Sequence, residues 1–297
     1  MSFTRSAVRL LITSAGKQTC GRAFLATETS ATAPFVMQRL TGDHAGITVF
    51  NLNRPETKNA ISREMLQMMS EAVTDVRYDH GTRVVIVRSL VPGAFCVGAD
   101  LKERAKMSLD EVPRFVDGAR ALMTNLEHLP QPVIAAIDGF ALGGGLEMAL
   151  ACDIRVASDS ARLGLTETKL AIIPGAGGTQ RLPRVIGQSA AKELIYTGRI
   201  IDGVQAHRLG LVNNIIDQNP NGDAAYQLAE NLAGEILQCG PIGVRMAKLA
   251  INRGMQCDLQ TAMEVEKLCY AQVIPTKDRV EALMAFKEKR PPKFKGE

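Results

Sequence analysis

Tryptophan is absent from this 297-residue sequence, and four tyrosines and nine phenylalanines are its only phenol and benzyl rings. Stacking platforms for single-stranded nucleic acid are therefore scarce. Neither sign of charge is in excess: 35 basic and 31 acidic residues leave a formal net charge of +4. That is too near balance for nucleic-acid or membrane-surface binding through bulk charge. The six cysteines (Cys20, Cys96, Cys152, Cys239, Cys257, Cys269) contain no CxxC pair, and His44, His80, His128 and His207 are equally scattered. Such spacing gives a structural zinc site no support. No GxGxxG register fits Gly143–Gly145, and in the run starting at Gly175 the third glycine is replaced by Gln180. No GK[ST] follows either run, so a dinucleotide fingerprint and a phosphate-cradling P-loop are excluded.

Long apolar runs are also missing, with one exception. Residues 133–151 could pass for a membrane span. Asp138, Glu147 and the glycines at 139, 143, 144 and 145 argue instead for buried core. What remains is ordinary for a soluble chain: 46% hydrophobic and 22% charged, long enough for one large domain or two smaller ones.

The charge is uneven. Residues 1–33 carry Arg5, Arg9, Lys17 and Arg22 against Glu28 alone, together with ten Ser/Thr. An Arg-spaced, Ser/Thr-rich, acid-poor start is the composition of a mitochondrial transit peptide. The bland alternative is a disordered tail. Val8, Leu10, Leu11 and Ile12 could form an apolar face opposite the arginines, while the short run broken by Arg9 disfavours a secretory signal. The rest of the chain is nearly neutral, as suits a soluble protein of the mitochondrial matrix. That compartment is reducing, so free thiols are expected.

Residues 35–40 and 47–52 read as strands joined through Gly42, Asp43 and Gly46, a hairpin. Met65, Leu66, Met69, Ala72, Val73 and Val76 mark one face of a helix over 62–78. Strands at 84–87, 133–137 and 154–157 alternate with helices at 109–129 and from 146, and residues 139–145 read as a glycine-rich turn. This alternation predicts an α/β fold with parallel strands. After about residue 188 only 211–216 reads as a strand. Helices are predicted over 188–197, 204–209, 223–237, 241–252, 259–272 and 279–289. The expected organisation is a targeting segment over 1–33, a core over 34–200 and a helical region over 201–297, with no internal repeat.

Two carboxylates stand in settings that suit proton transfer. Glu147 sits in an apolar run, where burial without a partner would raise its pKa toward neutrality. Glu167 lies twenty positions later, in Gly164-Leu165-Thr166-Glu167-Thr168. For each, a satisfied ion pair or helix-end carboxylate is the competing reading. Glycines before a helix, as at 143–145, leave backbone N–H groups bare for a developing oxyanion, or they make a tight turn and nothing more. The stretch 93–102 could supply a second bare N–H and a basic side chain.

Taken together these segments resemble a known family. Phe95-Cys96-Val97-Gly98-Ala99-Asp100-Leu101, Gly139-Phe140-Ala141-Leu142-Gly143-Gly144-Gly145-Leu146-Glu147 and Ile173-Pro174-Gly175-Ala176-Gly177-Gly178-Thr179-Gln180-Arg181-Leu182 resemble the enoyl-CoA hydratase/isomerase (crotonase) superfamily in order, spacing and residue type. The resemblance runs over roughly 35–297. The flanks, such as Leu101-Lys102-Glu103-Arg104-Ala105-Lys106-Met107 and Ala285-Phe286-Lys287-Glu288-Lys289-Arg290-Pro291-Pro292, resemble its AU-binding branch, which hydrates 3-methylglutaconyl-CoA in leucine breakdown.

The resemblance implies a crotonase (ClpP-like) spiral of ββα units with a C-terminal helical region that assembles trimers, often paired into hexamers. It implies a hydro-lyase that adds water reversibly to an α,β-unsaturated acyl-CoA. Alternatives within the family are a general short-chain hydratase of fatty-acid β-oxidation and an enoyl-CoA isomerase. The backbone N–H groups of Ala99 and Gly144 would hold the thioester oxygen, and Glu147 and Glu167 would handle the protons. Gly175 would lie near the water. Asp100, Leu101 and Lys102 would line the CoA. The CoA thioester is the substrate, and no metal or other cofactor is implied. Isomerases of the superfamily commonly use a single carboxylate, so two favour hydration. The branch is said to hold RNA through a lysine-rich helix. Residues 58–71 here are neutral, Lys58 and Arg63 against Glu64 and Glu71, so weak or absent RNA binding is expected.

Overall fold

The computed structural model describes residues 33–297. Apart from Ala33, the segment expected to be a transit peptide lies outside them. The chain enters on a hairpin, β1 (Phe35–Arg39) and β2 (Ile47–Leu52), and continues through helix α1 (Arg63–Tyr78) to β3 (Val84–Ser89) and β4 (Ala94–Cys96). Helices α2 (Leu101–Arg104) and α3 (Glu111–Glu127) precede β5 (Val133–Ile137) and β6 (Phe140–Leu142). Helix α4 (Gly144–Ala151), β7 (Ile154–Ser158) and β8 (Arg162–Gly164) follow. Then come α5 (Gly178–Ile186), α6 (Gln188–Thr197), β9 (Ile201–Asp202), α7 (Gly203–Arg208) and β10 (Asn214–Ile216). The chain closes on α8 (Ala224–Leu237), α9 (Pro241–Gly254), α10 (Leu259–Val273) and α11 (Lys277–Glu288).

The larger sheet has the order β1-β2-β3-β5-β7-β10. Only β1 runs antiparallel, and every other pair is parallel. Both faces are covered, as parallel sheets require. On one face Phe50, Leu52, Val85, Val87, Val133, Ala135 and Ile137 pack under α1, α3 and α4. The alternate residues Val49, Val84, Ile86, Ile134, Ala136 and Val156 meet Ala225, Ala229 and Ala233 of α8. Alanine at every fourth position lets α8 approach the strands closely. On the opposite side α1 buries Met65, Met69, Ala72, Val73 and Val76, the face expected from its spacing, and Ser62 caps it by accepting the Met65 N–H.

The smaller sheet, β4-β6-β8-β9, was not foreseen in the sequence. Residues 139–145 read there as a turn, yet they contain β6. Strands of three residues are too short to show alternation, and their pairing is set by distant partners. β4, β6 and β8 run parallel and β9 antiparallel. The chain crosses from one sheet to the other at Asp138-Gly139. A Cβ on Gly139 would lie 2.1 Å from the Gly93 carbonyl carbon, so only glycine permits this crossing. The apolar run 133–151 is thereby divided among β5, β6 and α4. No helix among the described residues is long and apolar enough to cross a membrane.

The C-terminal helices match their predicted spans within two residues, and α5 was missed. Helices α9, α10 and α11 bury few of their apolar side chains, and Met255, Leu259 and Phe286 are 79%, 77% and 86% exposed. Among the described residues Cys96, Cys152, Cys239, Cys257 and Cys269 are free thiols.

Candidate active site

The site is built at the C-terminal ends of the smaller sheet's parallel strands. β4 ends at Cys96 and delivers Ala99, β6 ends at Leu142 and delivers Gly144, and β8 ends at Gly164 and delivers Glu167. Ligands in parallel sheets gather at such ends. Ala99, Gly144 and Glu167, with Glu147, line one cavity of about 930 Å³.

The two amides are arranged alike but freed by different means. Ile61 forms an isolated parallel bridge with Ala99. Its N–H donates to the Gly98 carbonyl at 2.7 Å, and its carbonyl accepts the Asp100 N–H at 3.0 Å. A parallel bridge uses the groups flanking the opposite residue, which turns the N–H of Ala99 itself to the other side. Gly144 is the first residue of α4, where an N–H has no intrahelical acceptor. Neither amide donates to another group among the described residues. The two lie together, since a Cβ on Gly144 would stand 3.8 Å from the Ala99 nitrogen. Left-handed glycines shape both turns. Gly98 has φ +93° and Gly143 φ +51°, values that a side chain strains.

Glu147 lies one turn into α4 and is 3% exposed. Its Oε1 accepts the Ala176 N–H at 2.8 Å and the Gly178 N–H at 2.7 Å. Burial pushes its pKa above the ordinary range, against the pull of those N–H groups and of Arg181 and Arg120. Arg181 braces the donor loop: it donates to the Ala176 carbonyl at 3.0 Å and pairs with Glu127 of α3 at 2.7 Å.

Glu167 opens a 3-10 turn, Glu167–Leu170. Its Oε2 is buried and has no hydrogen-bond partner. Burial raises its pKa to about 7; its own backbone N–H opposes the shift and the charge of Glu147 adds to it. Of the two alternatives the sequence leaves for Glu147, burial without a partner or a satisfied carboxylate, the structure shows burial with two backbone donors; the oxygen without a partner is Oε2 of the half-buried Glu167. A Cβ on Gly143 would sit 3.2 Å from Glu167 Oε1, so this carboxylate stands against the turn that presents Gly144.

The remaining sequence candidates divide. Leu101 and Lys102 are exposed and line the cavity. Asp100 also lines it but is buried. It caps α2 by accepting the Lys102 and Glu103 N–H groups, and it pairs with Arg54 at 3.1 Å. Burial would raise its pKa, but the Glu103 N–H, Arg54 and the Lys102 N–H outweigh that and hold it low. Gly175 lines the cavity, and a Cβ there would meet Val116 Cγ1 at 2.8 Å. Its smallness therefore also serves packing against α3. Val116, Met123 and Arg120 of α3, with Ile172 and Pro174, form a wall of the cavity that was not identified from the sequence. The sequence marked a helix there, but nothing in it pointed toward Glu147.

Two open amides beside a buried carboxylate and a half-buried one can polarise a carbonyl, hold the enolate it becomes, and move protons at neighbouring carbons. The description Enoyl-CoA hydratase/isomerase belongs to the family that matches residues 42–297. Human methylglutaconyl-CoA hydratase, mitochondrial, is 58% identical over 261 residues, 88% of this chain and 77% of that protein. Human enoyl-CoA hydratase domain-containing protein 2, mitochondrial, is 54% identical over 260 residues, 88% of this chain and 89% of that protein. Among solved structures, an enoyl-CoA hydratase from Bacillus anthracis superposes with a TM-score of 0.85 at 49% identity, covering 89% of this chain and 100% of that one. The chain belongs to the enoyl-CoA hydratase/isomerase family and has its crotonase fold.

Proposed function

We propose that this protein adds water reversibly across the double bond of 3-methylglutaconyl-CoA, within mitochondria. The observation that carries the reading is the meeting of Glu147, Glu167 and the two open amides in one cavity. The thioester oxygen sits between the Ala99 and Gly144 N–H groups. These stabilise the enolate that forms as water attacks Cβ, a contribution of about 3–4 kcal/mol per donor in comparable sites. One glutamate takes a proton from the water, and the other manages the proton delivered to Cα. The pair titrates as a unit. Leu101 and Lys102, at the start of α2, face the CoA moiety. The apolar wall of α3 and the residues 170–174 receive the acyl chain.

The substrate reading draws on the relatives named for methylglutaconyl-CoA, and the compartment on residues 1–33 together with relatives named as mitochondrial. The exposed apolar side chains of α9–α11 support a homo-trimer built by the C-terminal helices, alone or paired as a hexamer. Bands at the trimer or hexamer mass in light scattering test that assembly; a monomer removes it.

The deciding assay is hydration of 3-methylglutaconyl-CoA against crotonyl-CoA, with kcat/KM for each. A higher value for the dicarboxylic chain is expected. A preference for crotonyl-CoA would make the protein a general short-chain hydratase, and double-bond migration without hydration would make it an isomerase.

A further inference from the structure

The acyl chain of the proposed substrate ends in a second carboxylate, which needs a cation that the sequence did not place. Three basic side chains line the cavity: Lys102, Arg104 and Arg120. The first two belong to α2, which begins beside Ala99, on the side assigned to CoA. Arg120 stands elsewhere. Its Nε donates to the Gly175 carbonyl at 3.1 Å, and the next residue, Ala176, donates its N–H to Glu147. The guanidinium is thus anchored one residue from the group that holds Glu147, and its charge acts on that carboxylate.

Arg120 is only partly engaged. Nη1 pairs with Asp117 at 2.8 Å, a contact whose side chains are 55% and 69% exposed. Exposed pairs of this kind are weak and exchange easily. Nη2 donates to no protein acceptor among the described residues. The walls nearby are apolar, formed by Val116 and Met123 of the same helix together with Pro174. A planar cation that lines a cavity with apolar walls, fixed at Nε and with Nη2 free of protein acceptors, is suited to a carboxylate.

The chemistry of the chain fits this position. With the thioester oxygen at Ala99 and Gly144, and Cβ facing the glutamates, the terminal carboxyl carbon of a five-carbon diacid lies two bonds beyond Cβ. That places the carboxylate next to the Glu147 end of the cavity. We propose that Arg120 is the receptor for the terminal carboxylate of a dicarboxylic acyl-CoA, and so sets the preference of the site for acidic over neutral acyl chains. The proposal rests on the reading of the cavity as an acyl-CoA site. Fixing Gly175 is a separate, structural task of the same side chain, and an arginine doing only that would affect acidic and neutral chains alike.

Binding of saturated ligands separates these roles without depending on catalysis. 3-Methylglutaryl-CoA and isovaleryl-CoA differ only by the terminal carboxylate. Titration calorimetry on the full chain compares them in the parent protein, Arg120→Gln and Arg120→Lys. A charge-assisted contact predicts that the ratio of the two affinities falls by about 10- to 100-fold in Arg120→Gln, with Arg120→Lys in between. An equal loss for both ligands would reduce Arg120 to a support for Gly175, and an unchanged ratio would remove it from recognition. Either result overturns the proposal. Failure of the parent protein to bind either thioester would instead overturn the acyl-CoA reading itself, and the receptor role with it.

Discussion

Oε1 of Glu147 accepts two backbone N–H groups, while the buried Oε2 of Glu167, in the same cavity, accepts none. One carboxylate is fixed by the protein, and the other is left for what enters. Replacing either by glutamine removes its acid–base chemistry with little change of shape. Glu147→Gln and Glu167→Gln should each lower kcat by about two to four orders of magnitude, with the dissociation constant for a saturated acyl-CoA little altered. Stopped-flow hydration and calorimetry measure the two quantities. Full turnover in either variant would remove that residue from the mechanism.

The raised pKa of Glu167 also bears on stability. Its carboxyl is expected to titrate near pH 4.5 when unfolded and at about 7 in the native protein. Between those values the folded state binds more protons, so stability declines as pH rises through the window. A glutamine at 167 has no charge to bury. Glu167→Gln should therefore raise the melting temperature at pH 8 and change it least at pH 5. The opposite order in a thermal-shift series would contradict the assigned burial. The negative charge of Glu147 contributes to the shift, so Glu147→Gln should move the Glu167 midpoint downward in a carbon-13 titration.

Adjacent glycines in α4 differ sharply. A Cβ on Gly145 would lie 2.0 Å from the Cys96 carbonyl oxygen, whereas the nearest atom to one on Gly144 would be the end of the Ile61 side chain at 3.2 Å, with backbone no closer than 3.5 Å. Backbone cannot yield as a side-chain terminus can. Gly145→Ala should fail to accumulate as soluble protein. Gly144→Ala should fold yet lose turnover, because its new methyl group stands beside the Ala99 N–H. Circular dichroism and hydration assays distinguish these outcomes; a well-folded Gly145→Ala would show that β4 can shift away from α4.

Asp100 caps α2 and pairs with Arg54, whose side chain is 16% exposed. Asp100→Ala leaves that guanidinium short of a partner and two N–H groups of α2 uncapped. A loss of about 2–3 kcal/mol in denaturant unfolding is expected, with KM for acyl-CoA raised as α2 loosens. A stability change below about 0.5 kcal/mol, the size of an ordinary surface substitution, would refute the capping role.

The basic side chains in and beside α1 are already occupied. Arg63 pairs with Glu111 at 3.0 Å and Glu103 at 3.6 Å, Arg77 donates to the carbonyls of Asn125 and His128, and Lys58 lies over the Phe140 ring. Few charges remain for phosphate contacts. A gel shift with AU-rich RNA at near-physiological salt should show no sub-micromolar complex, and one that did would reverse this expectation.

Where burial repeats along one element, the sequence was readable. Met65, Met69 and Val76 marked α1, and the apolar run at 133–137 marked a strand covered on both faces. Glu147 and Glu167 were singled out by their apolar and glycine-rich neighbours, and the motif resemblance gave them roles. What escaped depends on contacts far apart in the chain. Phe140–Leu142 became a strand because β4 and β8 flank it, not because three residues prefer extension. The difference between the two carboxylates was hidden too, since the donors to Glu147 come from residues 176 and 178. Arg120 was one arginine within a predicted helix until the fold set it against Gly175.

Ala99, Gly144 and Glu167 each follow within three residues of the end of a strand in the same parallel trio. Their mutual spacing is consequently a sheet dimension, fixed by hydrogen bonds between strands and not adjustable by lengthening a loop. The proposed acyl wall is tied less directly: residues 170–174 continue the turn that Glu167 opens, but Val116, Arg120 and Met123 come from α3. In the proposed reading, the face of α3 can therefore vary without moving the strand ends. Exchanging the side chains at 116, 120 and 123 should redirect the protein to other acyl chains while the distance between its two open amides stays as the strands set it.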